Sequence, residues 1–94
     1  MTIDELLDEA AKVGGWRVWG VARIRSESGY CPIVAVARGR GFKGDNWEWW
    51  KAAAVLELPV EDARQVVIGT DYEWGELRGE IETRLGVENL HKGA

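Results

Sequence analysis

Seven residues, Arg38-Gly39-Arg40-Gly41-Phe42-Lys43-Gly44, concentrate more chemistry than any other stretch of the chain: two guanidiniums and an ammonium on Gly-rich backbone, with Trp47 just beyond. Cations of this kind bind phosphate oxygens, and the Phe42 and Trp47 rings offer planes on which a base can stack. The loop is therefore a candidate site for a nucleotide phosphate or a single nucleic-acid strand. It does not end in Gly-Lys-Ser/Thr, so it is not a phosphate-binding P-loop. The simpler alternative is a basic surface loop paired with neighbouring acids, which needs no ligand. Arg23 and Arg25 join the candidate set from the preceding segment, and Trp47 and Trp49 from the following one.

Groups that could carry catalysis are sparse. The one histidine, His91, lies in an expected C-terminal tail where nothing would hold a general base in place. Cys31 is the sole cysteine, which rules out an internal disulfide and a Cys-based metal site within one chain. It sits in an apolar run with no positioned histidine and fits a small core residue. Carboxylates are spaced as helix-surface charges: Glu80 with Arg84 and Arg78 with Glu82 stand four residues apart, like ordinary surface ion pairs. The expectation is a protein that is not an enzyme and uses no cofactor or metal.

The chain has 94 residues, enough for one modest core, and six of them are Trp. In so small a domain some indoles must lie partly at the surface, and Trp and Arg are the residues that most often anchor interfaces. The net charge of -4 hides a division along the chain. Residues 1–15 sum to -3 and residues 44–94 to -6, whereas residues 16–43 sum to +5 through Arg17, Arg23, Arg25, Arg38, Arg40 and Lys43 against Glu27. The basic middle could be an anion-binding surface; more economically, acidic helices fold over it. No apolar run approaches the ~18 to 20 residues of a membrane span, and the acidic start is unlike a secretory signal, so a soluble intracellular protein is expected.

The elements that must position these groups read as follows. Thr2 to Glu5 fits a capping box, and Ile3, Leu6, Leu7, Ala10 and Ala11 make one face of a helix that Gly14-Gly15 stops. Residues 16–25 alternate, with Trp16, Val18, Gly20, Ala22 and Ile24 inward and Arg17, Trp19, Val21, Arg23 and Arg25 outward; Gly20 can make this a hairpin, with one longer strand as the alternative. Pro32 at a first-turn position favours a short helix over a buried strand for residues 31–38. Residues 45–69 look like the organising centre. Asp45 or Asn46 caps a Trp/Ala helix whose inward face is Trp50, Ala53 and Ala54 with Trp47 and Trp49 on its flanks. After Leu58-Pro59 a second helix buries Val60, Ala63, Val66 and Val67 and ends at Gly69. Thr70 to Glu73 fits another capping box, opening a last helix with Trp74, Leu77, Ile81 and Leu85 inward and a Schellman-type stop at Gly86-Val87. The sum is a mainly α (α+β) single domain over residues 1–87, a bundle of four or five helices with one small β-hairpin near residues 16–25, followed by a flexible tail at 88–94.

Two resemblances bear on function. Residues 51–67 resemble the helix-turn-helix of bacterial and phage regulators: Ala53 is the small residue of the first helix, Leu56 and Leu58 flank the turn, and Ala63 and Val66 point inward. Glu57 stands where that pattern has a turn Gly, and Glu61 and Asp62 at the start of the second helix would repel phosphates. In layout the whole chain is similar to small accessory proteins of bacteriophages and mobile elements, with Cys-Pro-Ile-Val-Ala-Val at 31–36, the Trp/Ala helix, Leu-Glu-Leu-Pro-Val-Glu-Asp-Ala at 56–63, and Leu-Gly-Val at 85–87. That resemblance implies binding to a host enzyme or defence complex in the host bacterial cytoplasm. The leading expectation is thus a non-catalytic protein that binds a macromolecular partner. Nucleic-acid binding through residues 16–43, or by a helix-turn-helix, is the alternative.

Overall fold

Thr2 and Glu5 form the expected capping box: Thr2 Oγ1 accepts from Glu5 N at 3.1 Å, and Glu5 Oε1 accepts from Thr2 N at 2.9 Å. The second bond draws the Glu5 carboxyl below the usual carboxylate range. Helix α1 (Ile3–Val13) buries Leu6, Leu7 and Ala10, while Ala11, expected on the same face, is exposed at its edge. These coordinates belong to a computed structural model that describes residues 1–20, 23–72 and 75–87.

Residues 16–26 form a hairpin and not one long strand. Strands β1 (Trp16–Trp19) and β2 (Arg23–Ser26) pair antiparallel, with Trp16 opposite Ser26, Arg17 opposite Arg25, Val18 opposite Ile24 and Trp19 opposite Arg23. Trp16, Val18, Ile24 and Ser26 are buried. Gly20, expected inward, is exposed at the turn, and Ala22 lies outside the described residues. Trp16 Nε1 donates to the Ala10 carbonyl at 2.9 Å, which ties the hairpin to α1 and gives a buried indole its partner.

Helix α2 (Pro32–Gly39) starts at Pro32 as expected, but residues 32–37 are all buried, so it has no solvent face beneath its last turn. A helix apolar on every side must be surrounded. It contacts α1, β2, and the two helices that follow, which close around it. Asn46 closes its approach: Oδ1 accepts from Cys31 N at 3.0 Å and Nδ2 donates to the Gly29 carbonyl at 2.8 Å.

A 3-10 turn (Asn46–Glu48) leads into α3 (Trp49–Val55). Trp50, Ala53 and Ala54 do not share a buried face. Ala52, Ala53 and Leu56 are buried, Trp49 is half-buried, and Trp50 and Ala54 are exposed. Trp49, Ala52, Ala53 and Leu56 have helical spacing just as Trp50, Ala53 and Ala54 do, and it is the first set that faces the interior.

Helix α4 (Val60–Asp71) follows a turn in which Glu57 adopts φ 54, the only positive φ outside Gly among the described residues, and the Met1 nitrogen donates to the Glu57 carbonyl at 2.9 Å. Ala63 and Val66 are buried and Val67 half-buried, but Val60 is exposed because Leu58 has already filled the core beneath the turn. Gly69 does not end α4. It is buried within it, and a Cβ on Gly75 would meet Gly69 Cα at 2.6 Å, so this glycine pair serves the close return of the chain. Thr70 likewise caps no later helix: it is buried, and its hydroxyl donates to the Val66 carbonyl at 2.9 Å.

The last helix, α5 (Arg78–Leu85), buries Ile81 and Leu85 with Leu77 half-buried before it. Glu73, Trp74 and the tail with His91 lie outside the described residues. Gly86 is left-handed, and Val87 N to Glu82 O at 3.2 Å with Gly86 N to Thr83 O at 3.3 Å completes the expected Schellman stop. Arg78 and Glu82, spaced as a surface pair, meet at 2.7 Å in a largely buried setting. The architecture is the expected mainly α (α+β) one, with five α-helices and a two-stranded hairpin among the described residues. Among the described residues no helix is long and apolar enough to cross a membrane.

Two glycine-related positions test this account with opposite signs. Glu57→Gly relieves a left-handed residue and is expected to raise stability by about 1 kcal/mol. Gly75→Ala forces a Cβ into the Gly69 backbone and is expected to cost about 3 kcal/mol. Urea unfolding of both variants reads the two effects.

Candidate functional site

The candidate residues separate into three places. Arg38, in the last turn of α2, is turned back on the protein: its guanidinium carbon lies 4.5 Å from the Tyr30 ring centroid, and Nη1 donates to the Gly44 carbonyl at 3.0 Å. Arg40 forms an ion pair with Glu9 of α1. Phe42, assigned above to base stacking, is half-buried against the core, and its ring lies close enough to Gly44 that a Cβ there would clash with it. Of the loop's three cations, Lys43 alone has neither an ion pair, a hydrogen bond nor a ring contact among the described residues. The loop is thus closed by intramolecular contacts.

The hairpin's outer face carries Arg17, Trp19, Arg23 and Arg25. Arg17 and Arg25 stand directly opposite each other across the strands, an arrangement that like charges disfavour. Each has its own acid: Arg17 lies 3.3 Å from Glu27, and Arg25, largely buried, lies 2.8 Å from Asp71 at the end of α4. Trp19, 41% exposed, faces Arg23, which has no ion pair among the described residues.

The third place is the outer side of α3. Trp50 is 50% exposed and Val55 48%, and with Lys51 and Ala54 they share one side of the helix, while Trp47, 70% exposed, lies in the 3-10 turn that precedes it. Glu48 holds Lys51 at 2.9 Å, and the Lys51 ammonium lies 5.2 Å from the Trp50 ring centroid. The same bond lowers the Glu48 carboxyl below its usual range. Trp49, named beside Trp47 as a binding candidate, belongs half-buried to the inner flank. Trp50 and Val55 are the members that sequence reasoning missed. The count of apolar residues on this helix, more than one core face can take, was the available signal.

An open cleft of about 380 Å³ lies between the end of α1, the turn after β2 and α2, with Gly14, Glu27, Ser28, Tyr30 and Arg38 in its walls. Arg38 is the single candidate residue that lines it, and it is already stacked on Tyr30. Cys31 is buried at the start of α2, and burial pushes its thiol up from the usual range. Among the described residues no three His, Cys, Asp or Glu side chains are grouped to hold a metal. A buried neutral thiol is a poor nucleophile. Cys31 is therefore expected to resist alkylation in the folded protein and to react fully once it is unfolded in denaturant, as mass spectrometry would read.

No family model matches this chain, and neither a curated protein nor a solved structure was found to match it.

Proposed function

We propose that the protein acts by binding: a non-catalytic module that docks on a protein partner and alters that partner's activity. The observation that carries this reading is the exposed outer side of α3 and the 3-10 turn before it, where two indoles, Trp47 and Trp50, and Val55 lie in water within nine residues. Large apolar side chains kept together at a surface mark interaction sites, and Trp is the strongest anchor type. The layout resemblance to small bacteriophage proteins supports a host enzyme or defence complex as the partner, met in the host bacterial cytoplasm.

The test contrasts indoles by burial. Trp47→Ala and Trp50→Ala are expected to leave the thermal midpoint within a few degrees while weakening partner binding by about 2 kcal/mol each. Trp16→Ala removes a buried ring and its hydrogen bond and is expected to cost about 3–5 kcal/mol of stability. Pull-down from host lysate with nuclease present, quantified for each variant, decides; equal recovery by wild type and the α3 variants would count against this face.

Nucleic-acid binding is the second reading, favoured by the exposed Trp19 opposite Arg23, which has no ion pair among the described residues of the chain. An indole for stacking beside a guanidinium for phosphate is the minimal single-strand contact. The left-handed Glu57 between α3 and α4 favours its helix-turn-helix variant, against which stand Glu61 and Asp62 in the first turn of α4. On this reading a mobility shift seen at low salt should vanish steeply as salt rises, and Arg23→Ala should reduce affinity for all sequences alike. No shift at low salt would remove it.

A further inference from the structure

Arg17, Arg25, Arg40, Arg78 and Arg84 each meet a carboxylate. Arg38 meets none among the described residues, yet it is held in place: its guanidinium carbon lies 4.5 Å from the Tyr30 ring centroid, and Nη1 donates to the Gly44 carbonyl at 3.0 Å. A ring contact and a single hydrogen bond leave the other N–H groups of the guanidinium fork without an acceptor among the described residues. This side chain stands in the wall of the cleft of about 380 Å³ between the end of α1, the turn after β2 and α2, a volume in the range of small-molecule sites. Tyr30 and Gly44 fix the long side chain in advance, which lowers the ordering cost that binding at its guanidinium would otherwise carry.

The walls also select the anion. Arg38 is the one cation among the described lining residues. Glu27 adds a carboxylate, and α1 and α2 both end here, at Val13 and Gly39, with the negative ends of their dipoles. In that field a doubly charged phosphate would set two negative charges against one guanidinium. A carboxylate carries a single charge, and its two oxygens match two parallel N–H groups of the fork. Val13, Ala35 and Tyr30 supply apolar wall, and Gly14 and Gly15 put no side chain into the space. We infer that this cleft binds a small organic monocarboxylate, with the carboxylate on Arg38 and a short apolar body along Val13 and Ala35. No residue lining the cleft belongs to α3, so the site is separate from the docking surface.

Amide NMR titration with sodium phenylacetate tests it, against the uncharged phenylacetamide and inorganic phosphate as probes. Phenylacetate should bind the wild type with a dissociation constant of about 0.1 to 1 mM and shift the amide signals of Gly14, Gly15, Ser28 and Gly39. Phenylacetamide and phosphate should each bind about tenfold more weakly or worse. Arg38→Ala and Arg38→Gln should both weaken phenylacetate by about tenfold or more, the second keeping most of the side-chain stem. Arg40→Ala removes the same charge from a position outside the cleft and should leave the affinity within about twofold of wild type. Circular dichroism confirms that each variant is folded. No saturable shift up to about 10 mM phenylacetate would overturn the inference. So would phenylacetamide or phosphate binding as tightly as phenylacetate, or a loss in Arg40→Ala as large as that in the Arg38 variants.

Discussion

Burial of α2 on all sides is the constraint from which the rest of the molecule follows. Pro32, Ile33, Val34, Ala35, Val36 and Ala37 leave no polar stripe to turn toward water, so α1, α3, α4 and β2 must close around them. Cys31 supplies no side-chain cap, and the orphan donor at the start of this helix is met from elsewhere in the chain, by Asn46. One asparagine thereby joins the turn after the hairpin, the start of α2 and the 3-10 turn before α3. The hydrogen bond from Trp16 to the end of α1 does the same on the other side.

The charge division along the sequence becomes interleaved in space. Glu9 from the acidic start meets Arg40, and Asp71 from the acidic second half meets Arg25. At the other end of the charge ledger Arg84 is held by Asp4 and Asp8 at 2.9 and 2.8 Å, so a basic residue of α5 is bound by the acids of α1. A pair as exposed as Arg40 with Glu9 contributes little stability. The larger effect of these contacts is on function, because a guanidinium already engaged must break a contact before it can take a phosphate. Arg23 and Lys43 are the two candidate cations that no such contact restrains among the described residues.

Legibility from sequence followed the kind of signal. Local signals carried through: the Thr2 to Glu5 box, Pro32 at the start of α2, the Gly86 stop, and the inward Trp16, Val18 and Ile24 of the hairpin each depend on a few adjacent residues. Signals that depend on phase or on a distant neighbour did not. The Trp50 side of α3 was misassigned because Trp49, Ala52, Ala53 and Leu56 satisfy helical spacing as well as Trp50, Ala53 and Ala54 do, and only the elements packed against the helix decide between them. Gly69 was taken for a helix stop because the chain that crosses it, at Gly75, is set by tertiary packing. Thr70 to Glu73 has the composition of a capping box, yet α4 simply continues through Thr70. For the site, the loop cations were visible as residue types while their intramolecular partners, Glu9, Tyr30 and the Gly44 carbonyl, were not.

The misassigned phase also bears on what the protein is for. Helix α3 turns Ala52 and Ala53 toward the interior, with Leu56 one turn on, and small residues at a helix contact allow a short distance between axes. A gap of that size has no room for an indole, so Trp50 cannot be accommodated inside without separating α3 from α2 and opening the core. Packing thus accounts for the alanines but not for the tryptophans. Trp47 and Trp50 lie where a polar residue would serve the fold equally well, and their cost in exposed apolar surface is offset only when something covers them. That is the physical ground for the proposal that the outer side of α3 is a docking surface.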